Sequence, residues 1–210
     1  FRAMHDVTAI VYANIGVLYS IVLGLLAVHS QERWVSIRET AEIEASYVAG
    51  IGRSANALDD STGTLIRLNA ANYARAVAET EWSDEMQGAS AEAAAALERL
   101  WHSILVMERT TDRDLLISQT IVDLATELEQ ARMRRVSLMR EHISDLLWSI
   151  LIGGGVVMVF FLVLFTPEHD NIHTVLVVAV TLVISAVLIL IFSYEHPTEG
   201  AMAFPPHAYL

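Results

Sequence analysis

HTVLVVAVTLVISAVLILIFSY, the run His173–Tyr194, decides the fold. It holds no ionisable residue between its ends. As a helix rising 1.5 Å per residue it reaches roughly 33 Å, and a bilayer's hydrocarbon core is roughly 30 Å thick. Lipid offers no partner for backbone N–H and C=O groups, so an exposed apolar segment of this length must be helical. Moving back along the chain, Leu146–Thr166 is a second such run, carrying Ile150, Val156, Phe160, Phe161 and Leu164. Between the two lies the short polar stretch Pro167–Ile172. A tight transmembrane hairpin over residues 146–194 is therefore expected. A third run, Val7–His29, is interrupted only by Thr8, Tyr12, Asn14, Tyr19 and Ser20.

The stretch Ser30–Asp145 differs in composition. It holds 12 of the 13 arginines and 20 of the 25 acidic residues, and no proline. Charge at that density cannot sit in lipid, and the absence of proline favours long helices. Ile37, Ala41, Glu44, Val48, Ile51, Ala55 and Leu58 follow Trp34 in steps of three and four, a heptad seam. Ile117, Ile121, Leu124, Leu128, Ala131, Arg135 and Leu138 form another. Two shorter helices fit between, near Thr64–Trp82 and Ala91–Glu108, with breaks at Asp59–Gly63 and Gln87–Ser90. Thr111-Asp112-Arg113-Asp114 has the form of a capping box.

The expected fold is thus an all-α membrane protein. Its parts are a first transmembrane helix (1–29), an extramembrane four-helix bundle (30–145), the hairpin (146–194) and an extramembrane tail (195–210). The outer bundle helices should run without interruption into the spans. The chain opens at Phe1 with no signal-peptide pattern, so it reads as an incomplete or processed polypeptide that an earlier span could precede. Arg33, Arg38, Arg132, Arg134, Arg135 and Arg140 flank the membrane on the bundle's side, against Arg2 on the other. That bias places the bundle in the cytoplasm.

Hydrophobic residues make up 54% of the chain and charged ones 18%, more apolar and less charged than a soluble domain. A net charge of −12 argues against nucleic acid, which needs a basic face. There is no cysteine, so thiol chemistry and disulfides are excluded. No nucleophile–base set, phosphate loop or cofactor motif is present. No catalytic residue, cofactor or metal is expected.

Several residues stand out within this frame. Gly16, Ser20 and Gly24 recur at steps of four, a small-residue face that lets helices approach closely in lipid. Gly153, Gly154 and Gly155 are its expected docking partner. Asn14 is the most polar residue of the first span, suited to an interhelical contact or a pore lining. Thr181 and Ser185 can bond back to their own helix. His169 and His173 are four apart, near Glu168, Asp170, His5 and Asp6; this reads as a solvated turn rather than a metal site. Glu44 and Arg135 interrupt otherwise apolar seams, so they are expected to pair, with Arg132 as the alternative arginine. Glu44 would lie roughly 22 Å from the membrane, and Arg132 and Arg135 roughly 21 and 16 Å. Height favours Arg132; facing favours Arg135.

The run Tyr12–Tyr47, with Gln31-Glu32-Arg33-Trp34 and Glu44-Ala45, resembles a bacterial membrane-protein family called bestrophin-like. Glu79-Thr80-Glu81-Trp82, Leu100-Trp101 and Glu129-Gln130-Ala131-Arg132-Met133-Arg134-Arg135 resemble its later helices. Tyr194-Glu195-His196-Pro197-Thr198-Glu199-Gly200 is similar to its acidic-x-Pro-x-x-Gly ending, with His196 where an acidic residue is common. The resemblance implies a further N-terminal span, a bacterial cytoplasmic membrane and, by analogy of name with bestrophin anion channels, a pore. Two functions follow as expectations. One is a non-enzymatic membrane protein acting through helix packing, self-associating or serving as an accessory subunit, with the bilayer and other transmembrane helices as partners. The other is an ion-conducting oligomer.

Overall fold

A computed structural model describes residues 2–58, 60–82, 89–108, 111–164, 171–197 and 209, with the backbone alone for 2–9, 60 and 171. The helices are α1 (Arg2–Ala55), α2 (Asp60–Ala76), α3 (Ala91–Leu105), α4 (Asp112–Arg140), α5 (Asp145–Leu164) and α6 (Asn171–Glu195). A π-helical turn, Val77–Glu81, extends α2. No strand occurs among the described residues. Among the described residues, three helices are long and apolar enough to cross a membrane: α1 from Ile10, α5, and α6 from Ile172. The chain has an all-α membrane-type fold.

The chain divides into two compact units, one drawn from residues 1–34 and 142–197 and the other from residues 35–141 and 198–210. In the first, α1 and α5 are antiparallel. Tyr12 donates its hydroxyl to the Met158 carbonyl (3.1 Å) and Tyr19 donates to that of Leu151 (2.9 Å). Tyrosines two turns apart on α1 thus meet carbonyls two turns apart on α5, in the opposite direction. Leu23, Leu151 and Ile191 form the small core here, with Tyr19, Leu26 and Trp148 packed on it.

The glycines behave differently from the expectation of two faces docked on each other. A Cβ on Gly154 would lie 2.8 Å from the Tyr19 ring, and one on Gly155 would lie 3.0 Å from the Tyr19 hydroxyl and 3.3 Å from Ile184. The slot at Gly154 and Gly155 therefore receives Tyr19, not Gly16, Ser20 or Gly24. Gly16 faces Met158, while Gly24 and Gly153 have nothing within 4 Å of a Cβ, and Ser20 is exposed. Helix geometry gives the reason. A step of four overshoots a 3.6-residue turn by about 40°, so a face begun at Gly16 rotates away from α5 before Gly24.

A second departure concerns the outer helices. α1 runs unbroken through both seam and span, as expected, but α4 ends at Arg140 and α5 begins at Asp145. Glu141 is extended at φ −74°, ψ 121°. The Ile143 N–H, which a continuous helix would pair with Met139, goes instead to the Glu195 carboxylate at 2.9 Å. Ser144 then caps the new helix, its Oγ accepting from Leu147 N at 3.3 Å. α6 also starts earlier than expected, taking Asn171 and Ile172 into the helix. Residues 165–170, with Glu168, His169 and Asp170, lie outside the described residues, as do the side chains of His5 and Asp6. His173 places Nε2 3.1 Å from the Leu162 carbonyl.

The second unit packs the later part of α1 with α2, α3 and α4. The seam residues Ile37, Ala41, Val48, Ile51, Ala55, Ile121, Leu128 and Ala131 are all buried. α2, the π turn and α3 add Ile66, Ala70, Tyr73, Val77, Ala93, Ala96, Leu97, Leu100 and Ile104. The capping box at Thr111 and Asp114 is formed reciprocally. The first expected break is displaced. α1 ends at Ala55 and Ser61–Gly63 lie inside α2, because the glycine there lets the two helix ends touch. A Cβ on Gly63 would collide with the Ala55 carbonyl oxygen.

Candidate functional site

The most concentrated chemistry is a buried charge cluster inside the four-helix unit. Its centre is Arg135, on the α4 seam, whose side chain is fully buried. Arg135 Nε donates to Glu44 Oε2 (2.7 Å) and Nη2 donates to Glu44 Oε1 (3.2 Å), a two-pronged pairing with α1. Nη2 also donates to Glu81 Oε2 at 2.5 Å. The remaining nitrogen, Nη1, faces Met139 Sδ at 3.7 Å. The Trp82 ring lies under the guanidinium at 5.3 Å, within cation–π range.

Glu44 receives a third donor, the Tyr73 hydroxyl, at 2.6 Å. Glu81 accepts from Arg132 Nη2 at 2.5 Å and from Ser90 N at 3.1 Å. Ser90 in turn caps α3, its Oγ accepting from Ala93 N at 3.0 Å, and shares a 2.6 Å hydrogen bond with Thr80. Facing, not height, therefore selects the partner of Glu44. Arg132 sits one turn before Arg135 and engages Glu81, leaving its own Nε buried with no hydrogen bond among the described residues. Two carboxylates and two guanidiniums cancel in charge, and the set ties α1, α2, α3 and α4 together.

Electrostatics agree with the geometry. Burial alone would push the Arg135 guanidinium down; Glu44 first, then Tyr209 and Glu81, outweigh it and hold it well above its ordinary value. Burial, and then the adjacent Glu44 carboxylate, push the Tyr73 phenol well up. Tyr209 is also buried, with its ring 5.6 Å from that of Trp82. Burial pushes its phenol up, Arg135 opposes, and Glu44 adds to the rise.

Glu81 is the member not foreseen from sequence. Ile66, Ala70, Tyr73, Val77 and Glu81 continue one seam, and an acid on it is as telling as Glu44 was on its own. Two successive steps of four from Tyr73 would drift off an α-helical face. The wider π turn at Val77–Glu81 takes up that drift and leaves Glu81 fully buried.

A second cluster lies in the other unit. Glu195, at the end of α6 and 5% exposed, accepts from Arg33 Nη1 (2.8 Å), Ser30 Oγ (3.1 Å) and the Ile143 N–H. Arg33 Nη2 lies 3.5 Å from His142 Nδ1. Asn14 is exposed and donates to its own helix at Ile10 O (2.9 Å), as Thr181 does to Val177 O. Among the described residues, no group of three or more His, Cys, Asp or Glu side chains is placed to hold a metal ion.

Neither a curated protein nor a solved structure matches the chain. One family does, described as Bestrophin-like domain, over residues 2–209. The match spans both charge clusters and all three apolar helices, and the chain belongs to the Bestrophin-like domain family.

Proposed function

We propose that the chain is a non-enzymatic, multi-pass protein of the bacterial cytoplasmic membrane that works by assembly, with itself or as an accessory subunit. The reading places the bundle region, residues 30–145, outside the lipid on the cytoplasmic side. The observation that carries it is the state of the three spans. Only 6%, 17% and 6% of the most apolar stretches of α1, α5 and α6 are buried within the chain. Close-approach positions stay open as well, since a Cβ on Gly24 or Gly153 would have nothing within 4 Å. In lipid, small residues of that kind gain most from another helix backbone. The buried charges support the same reading, because all four carboxylate oxygens of Glu44 and Glu81 already hold donors.

Gly24→Leu is the direct test, since a Cβ at this position has no neighbour in the chain within 4 Å. Cross-linking and mass measurement in nanodiscs should show the wild type as an oligomer or complex and the variant shifted toward the single chain, with unchanged helicity. An unshifted variant would remove the small-residue face from the interface.

The family description favours one alternative, an ion-conducting oligomer. A pore needs polar groups that face its lumen. Tyr12 and Tyr19 spend their hydroxyls on α5 carbonyls, and Asn14 bonds its own helix. Planar-bilayer conductance of the purified oligomer separates the readings. Unitary currents that Asn14→Leu abolishes would establish the channel.

A further inference from the structure

We propose that the strap Glu141–Ser144, which joins α4 to α5, is a pH-responsive clamp with His142 as its sensor. The clamp is held by one residue, Glu195, through three donors from two other segments: Ser30 and Arg33 on α1, and the strap's own Ile143 N–H. His142 reaches the same place from the strap, with Nδ1 3.5 Å from Arg33 Nη2. An arginine only donates. His142 Nδ1 must therefore accept there, which requires a neutral imidazole with its proton on Nε2.

Protonation puts an N–H where a lone pair was, facing a permanent cation, and the contact turns repulsive. Among the described residues, the charged and titratable groups that face His142 are Arg33 from α1 and Glu195 and His196 from α6. Burial first, then Arg33 and His196, lower the imidazole below its ordinary value, while the Glu195 carboxylate opposes them. A lowered base gives a definite sign. The closed clamp is intact above the free imidazole's value of about 6.5 and weakens as pH falls through the lowered one. Once His142 is charged, the strap is pushed from Arg33, and the Ile143 N–H is the bond it pulls on. That amide has no helical acceptor to return to while Glu141 remains extended.

Hydrogen–deuterium exchange of the whole chain in nanodiscs, corrected for the intrinsic pH dependence of exchange, reads this bond directly. Protection of the Ile143 amide should fall as pH is lowered from about 7.5 to about 5.5, because the opened strap takes up the His142 proton more readily than the closed one. His142→Gln keeps an acceptor for Arg33 without the titration, so its protection should stay flat. His196→Gln should keep the wild-type fall. Protection that does not change with pH in the wild type overturns the proposal. So does a fall that survives in His142→Gln, which would assign the titration to Glu195 or His196.

Discussion

Glu44 and Arg135 share a site from which water is excluded, so their worth shows when one is removed. A buried pair can be close to neutral relative to an apolar core, because desolvation offsets attraction. Removing one carboxylate is another matter: it leaves one positive charge of the buried cluster uncompensated, and breaking such a pair commonly costs about 3–5 kcal/mol. Glu44→Gln should therefore lower the unfolding midpoint of the four-helix unit strongly, with little relief or worsening from salt. Arg38 and Glu42 supply the internal control. They pair at 3.0 Å one turn apart, and each is 51% exposed. Exposed pairs of this type contribute about 0–1 kcal/mol, so Arg38→Gln should scarcely move the midpoint. Equal effects for the two variants in a denaturation experiment would mean that the cluster is not acting as a buried unit. Tyr73→Phe should fall between them, since it deprives Glu44 of one of three donors and leaves the ion pair, a loss of about 1–3 kcal/mol.

At the scale of the element, two glycines in helices should respond to alanine with opposite signs. Gly52 lies inside α1 with nothing within 4 Å of a Cβ, so Gly52→Ala should gain up to about 1 kcal/mol from helix propensity alone. Gly63 has the same propensity to gain, but its Cβ would strike the Ala55 carbonyl oxygen, which is backbone and cannot swing aside. Gly63→Ala should destabilise, and paired thermal melts would show the sign change. The same contrast explains what could be read from sequence. Periodicity located Ile37 to Ala55 and Ile121 to Arg135, because burying a helix face imposes a local repeat that needs no knowledge of the partner. Thr111 and Asp114 were equally legible, being a contact between near neighbours. The α4–α5 break was not, because its cause, Glu195, is 52 residues from Ile143. Nor was the π turn, whose widening is visible only once Glu81 has arginines to reach. The small-residue repeat at Gly16, Ser20 and Gly24 was a real pattern, but spacing alone could not say that Tyr19 would take the glycine slot.

At the scale of the whole molecule, the exposed apolar surface decides which solvent the chain needs. Val156 is 63% exposed, Val183 is 64% and Leu25 is 67%, with Phe160, Leu182 and Ile189 alike. Each exposed side chain of this size would give up about 1.5–3 kcal/mol of transfer free energy in water, and soluble monomers rarely expose contiguous apolar patches beyond a few hundred Å². Lipid removes that cost for the spans, while the charged face of the four-helix unit requires water. The lack of cysteine makes this testable one position at a time. Val156→Cys and Val183→Cys in liposomes should resist a water-borne maleimide until the membrane is dissolved. Ser46→Cys and Ser137→Cys, at exposed positions of α1 and α4, should react together, at full extent when the reagent has access to their side of the membrane. In sealed inside-out vesicles, a cytoplasmic four-helix unit predicts labelling of Ser46→Cys without permeabilisation, because the flanking arginines should hold that side in the cytoplasm. Labelling only after permeabilisation would reverse the orientation and leave the spans in place. Rapid labelling of Val156→Cys or Val183→Cys in intact vesicles would instead mean that water reaches the middle of α5 or α6. That outcome would favour the conducting oligomer over the assembly reading.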